Sequence, residues 1–472
     1  MKPTSAARNS NSTDFLTTQV FFDGGARQGR VIHLFLYTLS YLFKDFKSMF
    51  NGVTDPRQQS KVTYSIASLA FVGILMFLCN LRSRRQIRLL LPTAQSVQTF
   101  RTLFNVDGFP HGDTLNDALK LLNPEQMQEV VCNPVRILIR NKVLYPYRLL
   151  DKYFVVAVDG TGTVTYSRRH CPHCLTQTRN GRTIYYHKVL EAKLVTSNGF
   201  AFSLMSEFIE NPGENPKKQD CELKAFYRLA PRLKAAFPRL PILLSLDGLY
   251  AGGPVFQICK EYDWKFMIVL TDDDLPSVND EFHGLSALQP GNRRSWRTGK
   301  NTEITQDFQW VDHLSYTDSF KTEHILQVIE CVETKPNTKG VITRSTWRWI
   351  TNVRVKQTNV IALGNDGGRS RWKIENQGFN AQKNGGYELE HAYTADPIAA
   401  KIFYYLLQMA HIIAQLMYKG SLLGKAGRKV LGSIKNLALL LLEAWRNRAV
   451  CPSDLEAFLS RRIQIRFVPD TS

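Results

Sequence analysis

Three short runs constrain this chain more than any other feature. Residues 153–158 (YFVVAV), 241–246 (PILLSL) and 265–270 (KFMIVL) are largely apolar and show no in-out alternation. A strand of that kind buries both faces, so its sheet must be covered on both sides. Two further strands are predicted at 184–195 and 200–209. Helical patterns lie between the runs, at 220–237 (DCELKAFYRLAPRLKAAF) and near 253–262. The order is three strands, helix, strand, helix, strand, which predicts an α/β fold.

The flanks read differently. From about 31 to 148 the pattern is helical, with apolar stretches at 31–50 and 62–81. A helix is expected at 112–122 with Asp113 as its N-cap, and another from Pro124. Residues 1–20, rich in Ser, Thr and Asn, are expected to fray. Residues 271–363 read as strand and turn, with runs at 303–314, 322–334, 341–354 and 358–363. A helix at 371–383 (RWKIENQGFNAQK) is stopped by Asn384-Gly385-Gly386, and helices resume from 397, with apolar runs at 402–418 and 431–445. The expected organisation is a helical region at 1–150 for DNA binding or dimerisation, a core at 151–270, and a β-rich insertion at 271–363. A core helix at 364–395 and a helical basic region at 396–472 complete it.

Charge follows these divisions. The formal net charge is +19, made of +9 over residues 1–150, +3 over 151–398 and +7 over 399–472. Cationic flanks around a balanced middle suit an enzyme that grips a phosphate backbone, although a basic surface that only aids solubility fits charge alone equally well. Arg82, Arg84, Arg85 and Arg88 recur at helical spacing as a candidate phosphate-facing stripe. They follow residues 62–81, a 20-residue run without a charge. That run is long enough to span a bilayer, but its Thr63, Tyr64, Ser65, Ser68 and Asn80, and the lack of a second such segment, favour a buried helix. The eight cysteines are scattered, and no secretory signal pattern opens the chain. The expectation is a reducing, cytoplasmic compartment without disulfides.

Three carboxylates stand out. Asp159 follows the first apolar run and precedes Gly160-Thr161-Gly162; Asp247 follows the second and precedes Gly248. Carboxylates just past buried strands lie at the sheet edge where ligands collect in α/β folds. The glycines let the backbone turn there. Glu375 lies four residues after Arg371 in the helix RWKIE, on nearly the same face; an ordinary i,i+4 ion pair is the plain alternative. Trp372, Ile374 and Phe379 predict that this helix is partly buried. Two Asp and a Glu can hold a pair of Mg²⁺ or Mn²⁺ ions and serve in-line displacement at phosphorus.

These motifs resemble those of bacterial insertion-sequence DDE transposases, which are built on a ribonuclease-H-like core. The residues that carry the resemblance are VAVDGTGT with Asp159, LLSLDGLYA with Asp247, and RWKIENQGFNAQKNGGYELEH with Glu375. The last is similar to the Tyr-x2-Arg-x3-Glu-x6-Lys helix of one transposase group. Arg371 and Glu375 keep its spacing; Gly368 stands at the Tyr position, and Lys383 is displaced by one, with Gln382 where the Lys belongs. The resemblance implies a ribonuclease-H-like mixed-sheet core with a β-rich insertion, flanked by helical N- and C-terminal regions. It implies Asp159, Asp247 and Glu375 as catalytic metal ligands, with Arg371 and Lys383 contacting DNA phosphates. It further implies double-stranded DNA as partner, a homodimer on that DNA, and nucleoid association. The activity implied is cleavage of element ends followed by joining of the 3′-hydroxyl to target DNA. The alternatives are a nuclease on the same core without strand transfer and an inactive, transposase-derived DNA-binding protein.

His170-Cys171-Pro172-His173-Cys174 looks like half of a zinc site, with Cys171 and Cys174 as ligands and His187 or Cys221 as added donors; a metal-free turn is the alternative. Asp272-Asp273-Asp274 competes with Asp247, which is preferred because its strand directly follows the first core helix. Trp296, Trp347 and Trp349 in the insertion are candidates for stacking on a base, or simply for core packing.

Overall fold

The computed structural model describes residues 24–467 except 44–45, 215, 300–302, 338–339 and 461–462. The fraying expected at 1–20 therefore lies outside the described residues. The N-terminal region is helical: α1 (Gly24–Leu42), α2 (Ile66–Leu78), α3 (Arg85–Leu90), α4 (Ala94–Phe104), α5 (Gly112–Leu119) and α6 (Pro124–Arg140). Every residue of α2 is buried. The uncharged run at 62–81 is thus a 13-residue core helix plus its flanks, too short to span a bilayer. His111, not Asp113, is the N-cap of α5; its ring accepts the Asp113 amide, and Asp113 sits in the first turn.

The core begins with β1 (Phe154–Tyr166), β2 (Leu175–Arg179), β3 (Arg182–Val195) and β4 (Ala201–Ile209). Helix α7 (Glu222–Ala236), β5 (Ile242–Leu246), α8 (Gly253–Glu261) and β6 (Lys265–Val269) follow. In the sheet the order is β4-β3-β1-β5-β6. Strand β3 is antiparallel to both β1 and β4, whereas β1, β5 and β6 are parallel. This is the ribonuclease-H-like arrangement that the resemblance implied. The short strand β2, which the sequence pattern does not predict, pairs with the first half of β3.

The insertion adds α9 (Pro276–Ser286) and four strands: β7 (Arg293–Thr298), β8 (Ile304–Thr317), β9 (Glu323–Pro336) and β10 (Ile342–Thr351). Strand β10 pairs with β6, so the insertion continues the core sheet to ten strands. Two elements here went unread. Helix α9 is short and polar, so its period is weak; β7 is an exposed arginine-rich edge strand without an apolar face. The run at 358–363 is helical, not a strand. It opens a helical stretch made of α10 (Val360–Ala362), a π-helical turn (Leu363–Gly368), a 3₁₀ turn (Arg369–Arg371), a second π turn (Ile374–Phe379) and α11 (Asn380–Asn384).

Alternate residues of the parallel strands feed two cores. Val156, Val158, Leu244, Leu246 and Ile268 join the main core with the flanking helices. Val155, Ala157, Leu243 and Met267 face the other way, beneath Leu363, Ile374 and Phe379 of the 360–384 helix. This is why those strands read as continuously apolar.

The C-terminal region contains α12 (Pro397–Lys419), α13 (Gly424–Leu431), α14 (Ile434–Asn447) and α15 (Pro452–Ser460). Helix α12 packs on α2, α5, α6 and β4, and α14 packs on α1 and α4. The two helical flanks thus form one layer although 256 residues lie between Arg140 and Pro397. Helix α12 has the length and composition of a membrane span, but 78% of its apolar window is buried inside the protein.

Candidate active site

The last parallel pair between β1 and β5 is Ala157 with Ser245. Asp159 and Asp247 each lie two residues further on, so they hold matching positions on neighbouring strands. Side chains alternate along a strand, so Asp159 shares the face of Ala157, and Asp247 that of Leu243 and Ser245. That is the face covered by the 360–384 helix: Ser245 Oγ donates to Gly367 O at 2.9 Å.

Asp159 is not at the end of its strand, as the sequence suggested. Strand β1 outruns β5 and continues with β3 as an antiparallel ribbon to Tyr166. Gly160 accordingly does not turn the chain. A Cβ there would strike the Glu222 carboxyl and the Lys188 stem on the opposite face, where those two side chains form an ion pair.

The two aspartates are largely desolvated. Burial pushes the Asp159 carboxyl up to about 6 against the pull of Arg371, and burial raises Asp247 as well. Asp159 Oδ1 accepts its neighbouring Gly160 amide at 2.8 Å, and Asp247 Oδ1 accepts the Leu249 amide at 3.0 Å, capping the 3₁₀ turn Gly248–Tyr250. Arg371 reaches across from the helix: its Nη1 lies 3.3 Å from Asp159 Oδ2, while its Nε is buried without a hydrogen-bond partner.

The helix that carries Arg371 and Glu375 packs against β1, but it is not a regular α-helix. A 3₁₀ turn followed by a π turn breaks the 3.6-residue period, so the i,i+4 expectation fails. Arg371 faces inward to Asp159, whereas Glu375 is exposed on the rim. Trp372 is half exposed, while Ile374 and Phe379 are buried as expected. Among the described residues, no ion pair or hydrogen bond joins Glu375 to either aspartate, and the three acids do not bring ligand atoms within 4.8 Å of one another. The structure therefore gathers Asp159, Asp247 and Arg371, and leaves Glu375 about one turn away along the helix.

Gly368 explains why the transposase tyrosine has no counterpart here. A Cβ at that position would lie 2.5 Å from the Trp349 ring. The helix is pressed against the sheet, and no side chain fits. Gly368→Ala is expected to destabilise the fold by about 1–3 kcal/mol, as overpacking does; a denaturant titration against the parent chain measures it.

The displaced lysine is also resolved. Lys383 pairs with Glu390 at 2.7 Å. Gln382 is fully buried, donating to Gln408 Oε1 at 2.8 Å and lying 3.0 Å from His411 Nδ1, both on α12. Burial holds His411 well below the usual histidine range, so the folded protein keeps it neutral. The unfolded chain binds this proton first, so stability is expected to fall as pH drops below about 6.5, by about 1.4 kcal/mol per pH unit for one proton. Urea titrations between pH 7 and 5 should show that contribution as the difference in slope between the parent chain and His411→Gln, because Asp159 and His187 titrate in the same window in both.

Asp272 pairs with Arg348 at 3.0 Å, and Asp274 Oδ2 accepts the Thr271 amide and hydroxyl, at 2.9 and 2.7 Å. That acidic segment is a braced turn one strand away from Asp247. Trp349 is buried, Trp347 lies under the Arg369 guanidinium, and Trp296 is half exposed on β7. Of the arginine stripe, Arg84 turns inward to Gly112 O and Asp113, whereas Arg82, Arg85 and Arg88 are exposed.

A second cluster lies apart from the acids. His170, Cys171, Cys174 and His187 present ligand atoms all within 4.8 Å of one another. Cys221, one of the anticipated extra donors, is instead the exposed N-cap of α7. All eight cysteines are free.

Residues 47–133 match the family model described as DDE_Tnp_1-associated. That domain occurs in DDE transposases, so the match supports the resemblance carried by the acid motifs and points to a transposase-related function. The matched segment runs from the turn before α2 into α6, ahead of the core, and none of the three acids falls within it. No curated protein matches the chain.

Proposed function

We propose that the chain is a DDE transposase that cleaves element ends and joins the freed 3′-hydroxyl to target DNA. The observation that carries this reading is the placement of Asp159 and Asp247 at matching positions on parallel strands, under the helix bearing Arg371 and Glu375. The donor set suits a hard divalent cation: two largely desolvated carboxylates hold matching positions on neighbouring strands, and Glu375 would add a third oxygen donor only by turning in from its exposed position. When bound, Mg²⁺ or Mn²⁺ would supply Lewis-acid activation of the attacking oxygen and charge neutralisation at the leaving oxygen. Arg371 holds the Asp159 carboxylate in position and offsets its charge, and its guanidinium is the group on this helix that would meet a DNA phosphate. Lys383, now paired with Glu390, is the second cation of this reading that would contact a DNA phosphate. A homodimer holding two element ends remains part of this reading.

The test is incubation of the full chain with labelled duplex carrying the inverted repeat that flanks its gene, plus Mg²⁺ and a target plasmid. Cleavage with joined product is expected. Cleavage without joining would favour the nuclease, and binding with neither would favour the inactive DNA-binding protein. Binding itself should weaken steeply with salt. For about 6–10 phosphate contacts the affinity drops about 10³–10⁵-fold between 50 and 200 mM; a flat dependence in fluorescence anisotropy would remove the basic flanks as the DNA grip.

A further inference from the structure

We propose that His170, Cys171, Cys174 and His187 form a structural zinc site that staples the β1–β2 turn to β3. The four donors come from two places: the knuckle after β1 supplies three, and β3 supplies His187. Four of the six spacings between them are close to the edges of a filled tetrahedron, and the other two are within 4.8 Å. Zn–S and Zn–N bonds of about 2.3 and 2.0–2.1 Å imply ligand–ligand edges of about 3.3–3.8 Å. Cys171 Sγ and Cys174 Sγ are 3.5 Å apart. His187 Nε2 lies 3.3 Å from Cys171 Sγ and 3.6 Å from Cys174 Sγ, and His170 Nδ1 lies 3.2 Å from Cys174 Sγ. Two thiols and two imidazoles are the soft and borderline donors that zinc prefers over Mg²⁺.

The surroundings hold the knuckle in that shape. Both sulfurs are buried. The buried Asn211 donates to Cys174 O at 2.8 Å, and its own carbonyl lies 2.9 Å from His173 Nδ1. His173 is thereby turned to Asn211 and His170 is left to the cluster. With four protein ligands the site has no open position, so its role is structural, not catalytic. His187 lies beside Val164 in the β1–β3 register, five residues beyond Asp159. At about 3.3 Å per residue the cluster lies about 13–17 Å along the ribbon from Asp159. It braces the far end of the ribbon whose near end carries Asp159, and it is independent of the cations proposed there.

The test is zinc content by inductively coupled plasma mass spectrometry of full-length protein purified without chelator. About one zinc per chain is expected. Replacement by Co²⁺ should give the thiolate charge-transfer and d–d absorption of a tetrahedral S₂N₂ site. Cys174→Ser and His187→Ala should lose the metal, whereas His173→Ala and Cys221→Ser should keep it. A wild-type chain that binds neither zinc nor cobalt overturns the site, with no reliance on how the variants fold. Loss of metal in His173→Ala but not in His187→Ala would also overturn it. Neither readout involves DNA, so failure here is separate from failure of the transposase reading.

Discussion

Asp159→Asn and Asp247→Asn are each expected to abolish DNA cleavage while leaving DNA binding within a few-fold of the parent. An amide keeps the size of the carboxylate but removes its charge, and with it the hard anionic donor that a divalent cation requires. Loss of several kcal/mol of transition-state stabilisation corresponds to about 10³-fold or more in rate. Asp159 also faces Arg371 at 3.3 Å, so the Asn variant leaves that buried guanidinium without its counter-charge. Thermal denaturation must therefore accompany the assay. Asp247 has no such ion pair among the described residues, so Asp247→Asn is the cleaner reading of the two. Glu375→Gln is expected to fall with them, although its side chain is on the rim in this conformation. Cleavage that survives in Glu375→Gln would take Glu375 out of the site and leave the aspartate pair in it.

The second large effect concerns a fully buried ion pair next to the site. In the β1–β3 register Glu191 lies beside Asp159, and Lys193 beside Ala157. Lys193 Nζ is 3.5 Å from Glu191 Oε1 and donates to Gln408 at 2.6 Å, and neither side chain has any exposed surface. Glu191 also accepts hydrogen bonds from Ser203, Ser206 and Tyr404, the last two at 2.6 and 2.7 Å. The Lys193 stem packs against Gly378, and its ammonium lies over the Phe379 ring, both on the Glu375 helix. Lys193→Ala strands the Glu191 charge and removes that support. The expected loss is about 3–5 kcal/mol, large enough to threaten folding. Lys193→Met with Glu191→Gln should recover most of it, because no unpaired charge then remains. A Lys193→Met single variant as stable as the double in urea titrations would show that stem packing, not the charge, is what Lys193 provides.

Much of this architecture was legible in local pattern. The apolar runs before Asp159 and Asp247 became β1 and β5 because buried parallel strands tolerate no alternation, and α12 and α14 followed from their apolar stretches. Elements with weak patterns were lost: β7 has no buried face, β2 is five residues long, and α9 is mostly polar. His170 could have been added to the zinc donors from its place beside Cys171. His187, a lone histidine on a strand, needed the register to become specific.

Local side-chain pattern is enough to set which segments are buried strands, that an aspartate follows each of two of them, and that cationic helical regions flank the core. Those properties depend on side chains close together along the chain. Long-range packing is what brings Asp159 and Asp247 level, turns Arg371 and not Glu375 inward, and joins the two flanks in one layer. Strand register and the pitch of the Arg371–Glu375 helix depend on contacts between residues far apart in sequence, such as Gly368 against Trp349, which no local pattern encodes.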